Sequence, residues 1–83
     1  MIHELKIWPE YFERIITGKK RFELRKDDRP FSVGDILHLR EYNPILHEYT
    51  ERVCDCEILY ILHSTSIVEN GYVILSIKLL ALG

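Results

Sequence analysis

The chain has 83 residues, of which 47% are hydrophobic and 29% are charged, and its formal net charge is −2. This length predicts a single domain spanning residues 1–83 with one small core, and the composition is too apolar for a disordered chain. The apolar runs are much shorter than the roughly 20 residues of a membrane-spanning helix, and the first residues do not resemble a secretory signal. We therefore expect a cytoplasmic protein without a membrane partner.

The chain begins with a predicted strand over residues 1–7, followed by a short helix. Pro9 is suited to the first helical position, and Gly18 to the left-handed position that ends the helix. Phe12 and Ile16 fall on the apolar stripe of this helix. We expect the helix to cover one opening of a β-sheet.

The next segment, residues 18–26, contains five cations and one acid on a strand-like alternation of apolar residues. A period of two predicts that Phe22 and Leu24 face the core, while Arg21, Glu23 and Arg25 project together from the opposite face. This basic strand favours a phosphate or a polyanion as ligand. A solvated charged face is the alternative.

The second half of the chain predicts three further strands, over residues 36–42, 52–62 and 72–80, separated by a loop at 45–50 and a short polar link at 63–70. The resulting fold class is α+β, with five to six mostly antiparallel strands in a small β-barrel and one short helix. The strand residues expected to face inward are Phe22, Leu24, Leu37, Leu39, Cys54, Cys56, Ile58, Tyr60, Leu62, Val73, Leu75 and Ile77.

Charge is distributed unevenly along the chain. Residues 14–29 carry seven cations and three acids, a balance of +4, whereas residues 41–57 carry five acids and one arginine, a balance of −4. The acidic 41–57 side is a candidate surface for a protein partner. The oligomeric state does not follow from this pattern.

No motif in the sequence predicts a metal or a cofactor. Cys54 and Cys56 are two residues apart on a predicted strand, a spacing that fits neither an unstrained disulfide nor a four-ligand zinc site. We expect both to be buried as small apolar side chains. The four histidines are dispersed, and there is no glycine-rich phosphate loop.

The pattern Gly18-x-Lys20-x-x-Glu23-x-Arg25 resembles the signature of ASCH domains, a branch of the PUA-like β-barrels. The resemblance extends over residues 3–7, 9–12, 33–37 and 71–75, and it points to a compact bacterial ASCH-like family of unassigned function. It implies a PUA-like barrel that binds RNA or a nucleotide-like ligand. That family is expected to have a glycine between Thr50 and Arg52, where this chain has Glu51.

A nucleotide ligand needs cations for its phosphates, an acceptor for a base amine or a ribose hydroxyl, and aromatic rings for stacking. The aromatic residues suited to stacking are Trp8, Tyr11, Tyr42 and Tyr49. Trp8 is equally suited to anchor the helix on the barrel. The residues expected to contact the ligand are Trp8, Lys19, Lys20, Arg21, Glu23, Arg25 and Tyr42.

The alternative function is hydrolysis of a modified nucleoside or of RNA. The resemblance implies this alternative, because some small ASCH proteins are amidohydrolases of an acetylated pyrimidine nucleoside and others are described as nucleases. In the amidohydrolases, the lysine equivalent to Lys20 is paired with a threonine where this chain has Glu23, so the proposed nucleophile is absent. If the chain is an enzyme, Lys20 and Glu23 are the catalytic candidates, but we favour a binding domain.

Overall fold

The computed structural model describes residues 1–63 and 70–83, so most of the link predicted at 63–70 lies outside the described residues. The elements are β1 (Ile2–Ile7), α1 (Pro9–Ile16), β2 (Phe22–Lys26), β3 (Ile36–Asn43), β4 (Glu48–Leu62) and β5 (Tyr72–Leu82). The strands form one curled sheet in the order β1-β3-β4-β5-β2. β1 runs parallel to β3, and the other neighbouring strands are antiparallel. Over the described residues, the predicted α+β class, with mostly antiparallel strands and one short helix, is confirmed.

Helix α1 begins and ends where the sequence predicted. Pro9 is its first residue, and the Trp8 carbonyl accepts hydrogen bonds from the backbone N–H groups of Tyr11 and Phe12 at 3.1 and 2.9 Å. Gly18 follows the helix with a φ of +78°, a conformation that costs other residues about 1 to 2 kcal/mol. No helix in the described part of the chain is long and apolar enough to cross a membrane.

The core lies between the concave face of the sheet and the helix. Phe12 and Ile15 are buried on the sheet side of α1, while Ile16 is half-buried beside them. Both cysteines are buried and free, as expected for small apolar side chains. The strand residues confirmed in the core are Leu37, Leu39, Cys54, Cys56, Ile58, Val73, Leu75 and Ile77.

The predicted orientation of β2 is wrong. Phe22 and Leu24 are 50% and 56% exposed, whereas Glu23 is only 4% exposed and points inward. Burial of the carboxylate is tolerated because Lys20 and Arg25 both bond to it and neutralise its charge. The Arg25 side chain lies on the same inward side and is 23% exposed, so the predicted alternation of β2, apolar inward and charged outward, is reversed.

Strand β4 begins earlier than predicted, at Glu48, so the loop after β3 is shorter than the expected residues 45–50. The side-chain oxygen of Asn43 accepts backbone N–H groups from the next residues and closes this turn. Glu51 therefore lies within β4, with a φ of +74°. This left-handed conformation occurs where the family resemblance predicted a glycine.

The second half of β4 also differs from the prediction. A register shift against β5 occurs between Ile58 and Tyr60, so the simple alternation of inward residues ends there. Tyr60 is consequently 62% exposed, and Ile61 packs against the core in its place. Leu62, also predicted to face inward, is only half-buried.

Asp35 joins the start of β1 to the turn before β3. Its Oδ2 accepts hydrogen bonds from the buried His3 Nε2 at 2.8 Å and from the Ser32 backbone N–H at 3.0 Å. Its Oδ1 lies 3.1 Å from the ammonium group of Met1. The hydrogen bond from His3, followed by that from the ammonium group, lowers the pKa of Asp35 from 3.8 to about 2.

Because its pKa is lowered in the folded protein, Asp35 contributes stability that is complete above about pH 4 and is lost as the pH falls towards about 2. The Asp35→Asn variant should be less stable than the wild type at pH 5, and this difference should shrink between pH 4 and pH 2. Urea unfolding at several pH values measures this difference in the free energy of unfolding. Asp28→Asn is the control, because Asp28 is an exposed acid 3.8 Å from Arg29. A constant difference between wild type and Asp35→Asn would contradict the prediction.

Candidate functional site

A cavity of about 460 Å³ lies between the two edge strands of the sheet, β1 and β2, next to the start of α1. We call it the edge cavity. Its position follows from the topology, because β1 and β2 are at opposite ends of the strand order and are not hydrogen-bonded as strands. The residues that line it are Lys6, Ile7, Trp8, Tyr11, Lys20, Phe22, Glu23, Leu24 and Arg25.

The polar centre of the edge cavity is the Glu23 carboxylate, held between two cations. Lys20 Nζ donates to Oε1 at 2.5 Å, and Arg25 Nε donates to Oε2 at 2.8 Å. Lys20 Nζ also donates to the Phe22 carbonyl at 2.6 Å. Arg25 Nη2 donates to the Lys6 carbonyl at 2.9 Å, so this side chain connects the two edge strands. The arrangement fixes all three charged groups in defined positions.

This arrangement leaves bonding capacity for a ligand. A carboxylate can accept about four hydrogen bonds, and Lys20 and Arg25 account for two at Glu23. A guanidinium has five N–H donors, of which Arg25 uses two in the bonds to Glu23 and Lys6. The cavity can therefore accept a hydrogen bond and donate several at the same time.

Aromatic rings form one wall of the edge cavity. Trp8 and Tyr11 stack on each other with ring centroids 6.5 Å apart and an interplanar angle of 21°. Trp8 is 49% exposed, so about half of its surface is open to solvent beside the cavity. Lys20 Nζ lies 5.8 Å from the centre of the Tyr11 ring, which places the ring next to the charged group.

The structure brings four of the seven predicted ligand-contacting residues into this cavity: Trp8, Lys20, Glu23 and Arg25. Lys19 and Arg21 are exposed, and neither lines the edge cavity. Arg21 instead lines a neighbouring groove.

Tyr42 does not line the edge cavity either. Lys6 Nζ lies 4.1 Å from the centre of the Tyr42 ring. The Tyr42 and Tyr49 rings pack edge to face, with their centres 5.1 Å apart. Arg40 lies over the Tyr49 ring at 3.9 Å. Tyr42 therefore belongs to a separate group of cations and aromatic rings that adjoins the cavity through Lys6.

Sequence reasoning missed Lys6 as a site residue. The available signal was the alternation in β1, which buries Leu5 and Ile7 and leaves Lys6 exposed immediately before Trp8. Phe22 and Leu24 were also missed, because they were assigned to the core.

The acidic residues of segment 41–57 are not all available to a partner. Glu41 is buried and accepts a hydrogen bond from Thr50 Oγ1 at 2.5 Å. Asp55 lies 2.6 Å from His38 Nδ1. A protein partner on this side remains a prediction that would depend on the exposed residues Glu48 and Glu51. Residues 1–63 and 70–83 contain no group of three or more side chains suited to hold a metal ion.

Comparison with known proteins shows a relative in Escherichia phage P2, described as "Uncharacterized 12.9 kDa protein in GpA 3'region". It is 44% identical to this chain over 52 residues, which are 63% of this chain and 41% of the phage protein. The alignment thus spans less than half of that relative. A family model described as "Domain of unknown function (DUF3850)" matches residues 2–77. Because this match covers most of the sequence, the chain belongs to the DUF3850 family.

Proposed function

We propose that this chain is a PUA-like domain of the ASCH type that binds single-stranded RNA or a nucleotide-like ligand, with one nucleoside in the edge cavity. One observation carries the proposal: Lys20, Glu23 and Arg25, the charged residues of the motif, converge with Trp8 on the same cavity. The curled five-stranded sheet and the one short helix of the described residues support the PUA-like assignment.

The chemistry of the cavity matches the parts of a nucleotide. Trp8 offers a flat face for a base, and such stacking contributes about 1–3 kcal/mol per base. Glu23 accepts from an exocyclic amine or a ribose hydroxyl, while Arg25 donates to phosphate oxygens. The volume of about 460 Å³ lies within the range of small-molecule sites.

The charge of the cavity favours an anionic ligand. Lys6, Lys20 and Arg25 contribute three positive charges, and Glu23 contributes one negative charge. The cavity therefore carries a charge of +2, whereas the whole chain carries −2. Attraction of an anionic ligand is therefore confined to the cavity and its surroundings. This distribution favours a ligand with phosphate at one place over indiscriminate binding of nucleic acid.

Hydrolysis is the second candidate, because Lys20 Nζ and the Glu23 carboxylate are adjacent inside a cavity. The hydrogen bonds argue for binding. Lys20 Nζ donates to both Glu23 and the Phe22 carbonyl, a geometry that favours a hydrogen-bond donor over a base. Glu23 is likewise held by two cations, and among the described residues no serine, threonine or cysteine lines the cavity for it to activate.

Titration with short single-stranded RNAs at several salt concentrations tests the proposal. We expect the wild type to bind at low salt. Arg25→Ala should weaken binding of all sequences and reduce the slope of log affinity against log salt by about 0.7, as expected for one lost phosphate contact. Lys26→Ala is the matched control, because Lys26 is an exposed cation on the same strand that does not line the cavity. Its effect should be smaller.

Two outcomes would contradict the proposal. If the wild type binds no nucleoside, nucleotide or RNA at low salt, the proposal of a nucleotide ligand is wrong. Release of cytidine from N4-acetylcytidine by the wild type, with turnover reduced at least about a hundredfold in Lys20→Ala, would establish the hydrolase instead.

A further inference from the structure

A second concavity of about 430 Å³, which we call the helix-end groove, lies where the end of α1 meets β4 and β5. Its floor is apolar and includes Ile16, Leu59 and Ile77. Leu59 is exposed, so the floor is open to a ligand. A groove of this size accommodates a small organic group.

The rim of the helix-end groove is cationic. It contains Lys20, Arg21 and Lys78, and no acidic side chain lies among the lining residues in the described parts of the chain. Arg21 Nε donates to the Gly18 carbonyl at 3.3 Å, which holds this side chain beside the groove. The Lys20 ammonium group is directed to Glu23 in the edge cavity, so the cations that belong to this groove alone are Arg21 and Lys78. An apolar floor beside two cations favours a ligand with a flat or apolar body and negative charge.

Lys20 connects the two concavities, because it lines both the edge cavity and the helix-end groove. Its Nζ faces Glu23 in the edge cavity, while its backbone N–H bonds to the Arg14 carbonyl at the end of α1. The two concavities therefore adjoin at Lys20.

We infer that the helix-end groove binds the nucleotide adjacent to the one in the edge cavity, so that the ligand is an RNA of at least two nucleotides. This inference rests on the proposed function. The phosphate of the first nucleotide would face Arg25 in the edge cavity, and the phosphate that joins the two nucleotides would face Arg21 and Lys78 beside Lys20. The charge of the rim and its continuity with the edge cavity select this occupant over a neutral apolar molecule.

Binding of a nucleoside monophosphate, a dinucleotide and a trinucleotide should be compared for the wild type, Arg21→Ala and Lys78→Ala. The wild type should bind the dinucleotide about tenfold more tightly than the monophosphate, the scale of one added charged hydrogen bond. Each variant should lower affinity for the dinucleotide several-fold more than affinity for the monophosphate. Lys26→Ala is the charge-matched control, since Lys26 lines neither concavity. Thermal unfolding verifies that each variant is folded.

The outcomes separate this inference from the proposed function. Equal affinity for the monophosphate and the longer RNAs would overturn the inference and leave the edge cavity as a mononucleotide site. Equal effects of Lys78→Ala and Lys26→Ala on the dinucleotide would overturn it too, because general attraction would then explain the gain. Displacement of the bound monophosphate by the dinucleotide in excess supports it, because both ligands would occupy the edge cavity. If no nucleotide or RNA binds the wild type, both the inference and the proposed function are wrong.

Discussion

Glu23→Gln is expected to lower affinity for a nucleotide ligand at least tenfold and to destabilise the fold. The change preserves the shape of the side chain but replaces one acceptor oxygen by an NH₂ group that must face either Lys20 or Arg25. One cation then loses its partner in a mostly buried position. Removing one member of a buried ion pair costs about 3–5 kcal/mol, and the partial exposure of both cations reduces our expectation to about 2–3 kcal/mol.

Ligand affinity should fall because the carboxylate also orients the two cations that face the ligand. Simple electrostatics predicts the opposite, since loss of a negative charge strengthens general attraction to phosphate. Titration with several short RNAs at low and moderate salt, together with urea unfolding, distinguishes the two effects. Stronger binding of all RNAs by Glu23→Gln would show that Glu23 only reduces the local positive charge.

Glu4→Gln is the matched control for this experiment. Glu4 is an exposed carboxylate on β1 and forms a salt bridge of 2.9 Å with Arg40, but it does not line the edge cavity. An exposed pair of this kind contributes about 0–1 kcal/mol. Glu4→Gln should therefore leave ligand affinity nearly unchanged and alter stability much less than Glu23→Gln.

The helix and most of the core were predictable because their signals are local. Pro9 and Gly18 mark the ends of α1 through their own backbone preferences. The inward residues of β3 and β5, such as Leu39 and Leu75, follow from alternation in strands with a buried face. These predictions required no knowledge of which strands become neighbours.

The orientation of β2 was not predictable by the same rule. Alternation assigns the apolar set to the core, but β2 is an edge strand whose inner face meets the opening of the sheet. Glu23 can face inward only because Lys20 and Arg25 neutralise its charge. The hydrogen bond from Arg25 to the Lys6 carbonyl forms only because the curled sheet brings its two edge strands, β2 and β1, close together. The motif spacing nevertheless identified residues that meet in space, although it assigned them to the wrong face.

The boundary and bulges of β4 depend on similar non-local constraints. The register shift after Ile58 is set by pairing with β5 and exposes Tyr60 against the predicted pattern. The parallel pairing of β1 with β3 was likewise not contained in the local pattern of either strand.

Trp8→Ala is expected to lower affinity for RNA about 5- to 150-fold, because it removes the ring on which a base can stack, a contact of about 1–3 kcal/mol. Trp8→Phe should retain part of the affinity, since phenylalanine keeps a smaller flat face. Tyr49→Ala is the matched control, because Tyr49 is an exposed aromatic residue beside Lys6 and Arg40 that does not line the edge cavity. Its loss should affect RNA affinity less.

Trp8→Ala also distinguishes stacking on a ligand from the alternative role of Trp8 as an anchor for α1. Half of the Trp8 surface is exposed, so truncation should lower the free energy of unfolding by only about 1–2 kcal/mol if the ring serves mainly to stack on the ligand. A loss of about 3–5 kcal/mol, the cost of truncating a core aromatic side chain, would favour the anchor.

Trp8 is the only tryptophan in the chain, so its fluorescence reports directly on the cavity. A saturable change in that fluorescence on RNA addition, at the concentrations that produce binding, is the expected result. Binding without any change would place the base away from Trp8 and contradict the proposed stacking contact.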